Sequence, residues 1–319
     1  MNKTIAVFGD CMLDTYVQVT PTRISPEAPV LICKKGEEYH CPGGAANVAA
    51  NIQTGFGLDV RLIGVQGTDE IRCKLVRTLD SYKISWKYLA GVVDWQTIEK
   101  RRFVDDLGRQ ILRLDTEIEN AKLSAAIENE LREYLCEASE ETDGLVISDY
   151  GKGTCTPDLI KYAIQSFRSR EKYVIVNGKP NKLASYVGAN LLVYNLSEAA
   201  AAWAQFGDYA WNGTDVPSLA GMLRKRINSF PQAASTRKTD VLITCGAEGM
   251  ILWDMTGFWA QKAIPIKIAD VTGAGDTVVA TIATLIGESN NTWPMILKEA
   301  AIRAAEVVSQ HGTSIVKKG

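Results

Sequence analysis

Six short apolar runs, rich in β-branched residues, recur along the chain: TIAVFGD (4–10), DVRLIGV (59–65), GLVISDY (144–150), KYVIVNG (172–178), ANLLVYN (189–195) and DVLITCG (240–246). Each is continuous rather than alternating and is bounded by turn residues, the pattern of a strand covered on both faces. Longer stretches with helical spacing stand between them, over 44–54, 69–80, 123–138, 157–168, 197–206 and 216–228, with two more at 275–286 and 294–310. This alternation predicts an α/β fold in which a mostly parallel sheet carries helices on both faces. Two segments break the rhythm, 14–40 and roughly 84–114. Their runs TYVQV, VLICKK, TIEKRRFVDD and RQILRLD read as extended chain without helices. They form either two surface hairpins or one small sheet standing off the body as a lid.

Composition narrows the picture. With 319 residues, 46% apolar and 23% charged, the chain has the make-up of an ordinary globular protein. We expect one domain over 1–319. A net charge of −2 offers little to nucleic acid or an anionic membrane. No apolar run reaches the roughly 18 residues of a membrane span. The start, MNKTIAVFGD, enters a strand at once, without the charged head and apolar core of a secretion signal. Seven scattered cysteines with no CxxC pair argue against a zinc site or disulfide frame, and for a reducing, cytoplasmic setting. Only two histidines, His40 and His311, are present, so histidine-based acid–base chemistry starts from a weak position.

Several predicted strands end in polar clusters: Gly9-Asp10, SDYGKG (148–153), NLSE (195–198) and TCGAEG (244–249). Ligands of open α/β sheets bind beyond the carboxyl ends of the strands, so these clusters are expected to line one crevice. DVTGAGDT (270–277) places Gly273, Ala274 and Gly275 before Asp276 and a helix of small residues. Glycines allow close approach of a ligand, and free N–H groups at a helix start suit the charge on a transferring phosphoryl group. An acid in a first helical turn is equally favoured by helix electrostatics alone, so both readings stand at this point. The motif is not a Walker loop, since no Gly-Lys-Ser/Thr follows, and Val278 fills the third glycine position of a dinucleotide fingerprint. In CPGGAANVAANI (41–52), Gly43 and Gly44 open an alanine-rich helix with Asn47 in its first turn. That is either a tight turn into a close-packed helix or a cradle for a sugar hydroxyl.

GGAANVA and DVTGAGDT, in that order, resemble the two signatures of the ribokinase-like (PfkB) carbohydrate kinases, and the match runs over essentially the whole chain. MLDTY, TRISPEAPV, RQILRLDTE, ISDYGKG, YNLSEA and HGTSIV further resemble the heptose-7-phosphate kinase branch, the kinase half of bifunctional enzymes of ADP-heptose synthesis. The sequence ends at Gly319, and on this reading we expect the nucleotidylyltransferase half of those bifunctional proteins to be absent. The resemblance implies a three-layer sandwich with a small β lid over 14–40 and 84–114. It also implies ATP-dependent phosphorylation of O1 of D-glycero-D-manno-heptose 7-phosphate to the 1,7-bisphosphate, a lipopolysaccharide-core precursor.

By the same resemblance Asp276 is the general base, and Gly273, Ala274 and Gly275 supply anion-hole amides. Asn195 and Glu198 order Mg²⁺, largely through water, although Asn-x-x-Glu is also a helix-capping pattern. Lys179, Thr244, Gly246 and Gly249 lie along ATP; for TCGAEG a plain strand–turn–strand is the competing reading. Gly43, Gly44, Asp14, Asn47 and Asp149 bind the sugar. Lys100, Arg102, Arg113 and Lys152 meet its existing phosphate, although basic residues in EKRR also suit a solvated strand face. A homodimer paired through exposed lid edges is expected. The chain departs from the branch at Asn177, Tyr194, Ala199, Ala200, Thr281 and Ala301, and carries one extra residue around Phe56. Most of these changes fall on the nucleotide side. Two other functions fit the residues: a kinase of another furanose, hexose or nucleoside, and a protein that binds a sugar phosphate or nucleotide without turning it over.

Overall fold

The computed structural model describes residues 3–206, 211, 213–235, 238–288, 291–310, 312–313 and 315–316. Strand β1 (Thr4–Gly9) passes through Asp10 straight into β2 (Cys11–Ile24), which leaves the body and returns as β3 (Leu31–Gly44). Next come α1 (Ala45–Ala50), β4 (Asp59–Gln66), α2 (Glu70–Ser81), β5 (Leu89–Gly91), β6 (Ile98–Val104) and β7 (Gln110–Thr116). They are followed by α3 (Ala125–Glu141), β8 (Gly144–Ser148), α4 (Pro157–Arg168), β9 (Tyr173–Asn177), β10 (Leu191–Asn195) and α5 (Leu196–Ala204). The chain closes with α6 (Val216–Ile227), β11 (Asp240–Thr244), β12 (Met250–Trp253), β13 (Phe258–Gln261), α7 (Ala274–Leu285) and α8 (Trp293–Val308).

Nine strands make the main sheet, in the order β13-β12-β11-β10-β9-β8-β1-β4-β5. All neighbours are parallel except at the β11–β12 and β12–β13 pairs. The continuous apolar runs are explained by the two faces of this sheet. Ala6 and Phe8 of β1 point into a core shared with α3, α4, α5 and α6. Ile5 and Val7 point the other way, into a core shared with α1, α2, α7 and α8. Helix starts carry the caps their sequences suggest: Ser124 for α3 and Thr156, followed by Pro157, for α4.

The second sheet has the order β3-β2-β6-β7, antiparallel at its outer pairs and parallel between β2 and β6. The 14–40 and 84–114 segments supply it, with one difference. Residues 89–91 lie inside the second segment yet pair with β4 in the main sheet. Three residues are too few to show a period. The β12–β13 hairpin was likewise too short to register as a pair of strands. The extra residue near Phe56 also has a structural account. α1 widens over Asn51–Gly55 into a π turn, which takes one more residue per turn and keeps the inner face of α1 in place. No helix among the described residues is long and apolar enough to cross a membrane.

Candidate active site

Strand register brings the polar clusters to one edge. Gly9 pairs with Ser148, Ser148 with Asn177, Asn177 with Val193, and Asn195 with Thr244. A cavity of about 190 Å³ sits over this edge, and Tyr150, Lys179, Glu198, Thr244, Gly275 and Asp276 are among the residues that line it.

Asp276 lies in the first turn of α7 and is 5% exposed. Its Oδ1 accepts from the Tyr150 hydroxyl at 2.6 Å and its Oδ2 from Asn47 Nδ2 at 2.8 Å. Burial pushes its pKa up to about 6; the Tyr150 and Asn47 hydrogen bonds pull against that rise. Gly273 precedes the helix at φ 86°, a left-handed conformation that costs other residues energy, and no side chain caps the helix. A methyl group on Gly275 would meet no atom within 4 Å, so its backbone faces open cavity. The arrangement combines a buried carboxylate, a helix N-terminus and room for an anion.

Asn47 enters from the first turn of α1, just after Gly43 and Gly44. Asn51 Nδ2 donates to Asn47 Oδ1 at 3.2 Å, which turns the Asn47 amide nitrogen toward Asp276. Gly44, at φ 57°, brings the chain within reach of Asp10, whose carbonyl accepts from Ala45 N at 3.0 Å. Gly43 packs against Asp14: a methyl group there would come 2.9 Å from Asp14 Oδ2.

The second sheet contributes Asp14 from β2 and Lys100 and Arg102 from β6, with Asp14 and Lys100 in direct register. Arg102 Nη1 lies 2.6 Å from Asp14 Oδ1, and Thr313 Oγ1 donates to Asp14 Oδ2 at 2.8 Å. His311 and Ser314 of the HGTSIV motif lie outside the described residues. Lys100 has no ion pair among the described residues; burial pushes its pKa down, and its Nζ stands 5.6 Å from the centre of the Tyr150 ring. Arg113 is exposed on β7 and forks onto Asp115 at 2.8 and 2.9 Å. Lys152 pairs with Glu117 at 2.6 Å.

Some residues named from the sequence serve the scaffold. Asp149 turns its carboxylate onto Lys182 Nζ at 2.9 Å and the Tyr186 hydroxyl at 2.8 Å, and its side chain is fully buried. Those two bonds fall on Oδ2, and Oδ1 accepts from Gly151 N at 2.8 Å and Lys182 Nζ at 3.0 Å, so Asp149, although it lines the cavity, has both oxygens engaged in bracing the loop. Gly249, at φ 95°, is required by packing, since a Cβ there would stand 2.0 Å from the Gln261 carbonyl oxygen. Gly246, by contrast, opens onto free space, and Thr244 lines the cavity.

On the far side, Asn195 and Glu198 form a capping box at the start of α5. Lys179 Nζ meets Glu198 Oε1 at 2.5 Å, and Tyr194, one of the departures, donates to the Lys179 carbonyl at 3.2 Å. No three acids, histidines or cysteines gather to cage a metal among the described residues. Glu198 Oε2 accepts from Asn195 N at 3.1 Å, and Asn195 Oδ1 accepts from Glu198 N at 2.8 Å and Ser197 Oγ at 2.6 Å, so these oxygens beside the cavity suit only an ion held through its own water, as Mg²⁺ often is.

Two residues were missed as functional. Asp10, buried, accepts from the amides of Tyr150, Lys152 and Thr154 at 2.8, 3.1 and 3.0 Å, and so folds the loop that presents Tyr150. Tyr150 itself touches Asp276. SDYGKG carried the signal, an aromatic at a strand end, but no spacing rule links it to a residue 126 positions away.

Residues 2–318 match the family described as pfkB family carbohydrate kinase. The bifunctional protein HldE of Gluconobacter oxydans is 35% identical over 98% of this chain, which spans 62% of that protein's length. HldE of Helicobacter hepaticus is 30% identical over 98% of this chain and 61% of its own. Phosphofructokinase-2 from Escherichia coli superposes with a TM-score of 0.75 at 17% identity, covering 99% of this chain and 96% of that one. A putative ribokinase from Agrobacterium tumefaciens gives 0.74 at 18% identity, over 100% and 95%. At such identities the likeness is one of fold, and it is the ribokinase-like architecture expected from the sequence.

Proposed function

The chain belongs to the pfkB family of carbohydrate kinases, which transfer phosphate from ATP to a sugar hydroxyl, and on that footing we propose that its acceptor is D-glycero-D-manno-heptose 7-phosphate, phosphorylated at O1 to the 1,7-bisphosphate. The observation that carries the kinase chemistry is the buried Asp276 carboxylate, at the uncapped start of α7, facing a polar cavity. The heptose rests on TRISPEAPV, ISDYGKG and YNLSEA together with the HldE relatives.

In this mechanism the sugar hydroxyl hands its proton to Asp276 as its oxygen attacks the γ-phosphorus of ATP. The new sugar O–P bond forms, the bond from γ-phosphorus to the bridging oxygen breaks, and ADP leaves. A pKa of about 6 leaves the carboxylate mostly ionised at neutral pH yet basic enough to take the proton. Amides around Ala274 and Gly275 steady the charge on the transferring group, the main task in phosphoryl transfer. Lys100 and Arg102 of the lid suit the phosphate the substrate already bears. Bound Mg²⁺, near Asn195 and Glu198, would neutralise charge on the ATP phosphates. Glu198→Gln should therefore need more Mg²⁺ for half-maximal turnover, and an unchanged requirement would remove Glu198 from that role.

The experiment is ³¹P NMR of the product formed from ATP and the heptose 7-phosphate. A new anomeric phosphate signal is expected. Turnover of a different sugar, with none of this one, would reject the heptose.

We also propose a homodimer formed through the lid. Its edge strand β7 exposes Ile111, Leu112 and Leu114, and an apolar groove of about 550 Å³ lined by Val17, Val30, Leu31, Phe103 and Leu112 lies on the same sheet. Leu112→Asp should convert a dimer to monomer by light scattering; a wild-type protein that is already monomeric would refute this.

A further inference from the structure

We propose that Tyr150 is a positioning residue for the base: its hydroxyl orients the Asp276 carboxylate and keeps it ionised, ready for the acceptor's proton. The proposal rests on Asp276 being the base, as argued above. The geometry that carries it begins with the backbone. Three amides of the 150–154 loop bind one buried carboxylate, Asp10, so the root of the Tyr150 side chain is fixed. The hydroxyl then reaches Asp276 Oδ1 at 2.6 Å, a length typical of a hydrogen bond to a charged oxygen. Asn47 holds Oδ2 at 2.8 Å and is itself held by Asn51. Gripped at both oxygens, the carboxylate cannot turn about its terminal torsion, and each oxygen keeps a lone pair for an incoming hydroxyl.

The charges around this pair come from every side. Lys100 on β6 and Asp14 on β2 act on Asp276 in opposite senses. Tyr150 is faced by Asp14 and Glu198, and its ring centre lies 5.6 Å from Lys100 Nζ and 5.4 Å from Lys179 Nζ. These lysines rest on the ring and donate no hydrogen bond to Asp276, so neither replaces the phenol. Burial, followed by the nearby Asp276 charge, pushes the Tyr150 pKa well above its ordinary value, and the shared proton stays on the tyrosine. Tyr150 is thus a donor to the base throughout. Without it, burial of Asp276 is opposed chiefly by Asn47, and the carboxylate should protonate at higher pH.

Tyr150→Phe removes one oxygen and keeps the ring. Two readouts follow it: the acid limb of kcat/KM against pH, and the titration of the Asp276 carboxyl carbon by ¹³C NMR without substrate, assigned by its loss in Asp276→Asn. Both midpoints should rise by about one pH unit, a tenfold change in acidity. Replacing Tyr150 with 3-fluorotyrosine, a more acidic phenol of nearly the same shape, should move both midpoints down. A phenylalanine variant that loses turnover equally at every pH, with the carboxyl midpoint unmoved, would overturn the proposal and leave the ring a packing role. If Tyr150→Phe does not fold, the fluorotyrosine protein carries the test, and an unmoved midpoint there is equally fatal. Normal turnover by Asp276→Asn would instead defeat the reading of the base, while the NMR midpoint still reports whether Tyr150 controls the carboxylate.

Discussion

Holding Asp276 out of water should make the fold less stable at neutral pH, and by an amount that depends on pH. Its pKa is raised from the ordinary 3.8 to about 6, chiefly by burial. A raised acid binds its proton more tightly in the folded state than in the unfolded one. The cost is therefore full above the folded value, shrinks as pH falls through about 6, and is gone below the unfolded value. Two pH units correspond to about 3 kcal/mol. Asp276→Asn removes this ionisation. It also leaves one acceptor oxygen for two donors, Tyr150 and Asn47, a loss of about 1–3 kcal/mol that does not vary with pH. The stability of the variant relative to the wild type should thus fall as the solution is acidified. From about pH 7.5 to about pH 4.5 the change covers some 1.5 units below the folded pKa, or about 2 kcal/mol. Urea unfolding of both proteins at both pH values measures it directly. A gap that stays constant, or that widens toward acid in favour of the variant, would show that Asp276 does not carry the raised pKa on which its role as base depends.

Gly273→Ala should lower stability by about 1–2 kcal/mol, because its φ of 86° is unfavourable for a residue with a side chain. Gly275→Ala should leave the melting temperature unchanged, since its methyl group meets nothing, yet cut kcat on the order of 10- to 100-fold by crowding the transferring phosphate. Equal effects of the two changes on stability and on turnover would contradict this division. Arg102→Ala should cost about 3–5 kcal/mol, because it removes the charged partner now 2.6 Å from the buried Asp14 carboxylate and leaves it the neutral Thr313 hydroxyl. A loss below about 1 kcal/mol by denaturant titration would mean that Asp14 finds another partner.

The main sheet was legible because each of its doubly covered strands reads as one uninterrupted apolar run, and the helices were legible from caps such as Thr156-Pro157. Strand β5 and the β12–β13 hairpin were not, since three or four residues give no period to detect. GAGD and GGAAN announced Asp276 and Asn47, but their contact spans 229 positions and only the fold brings it about. The sequence could not distinguish a polar residue that faces a ligand from one satisfied by the scaffold. Asp149 reads as a sugar binder, and it does line the cavity, but Lys182, Tyr186 and Gly151 engage its oxygens; Gly249 reads as a phosphate glycine, and close packing against the Gln261 carbonyl requires a glycine there on its own. Tyr150 was hidden for the converse reason: a tyrosine at a strand end suggests nothing until its hydroxyl is seen on the Asp276 carboxylate.

The central claim is that Asp276 is the base of a sugar-phosphate kinase. The measurement that tests it most directly is phosphate transfer from ATP across a panel of sugar phosphates, run in parallel with wild-type protein and a folded Asp276→Asn. The account predicts transfer to the heptose 7-phosphate by the wild type and a loss of about 10²–10⁴-fold in the variant, the usual worth of a positioned base. Undiminished transfer by the variant would contradict it.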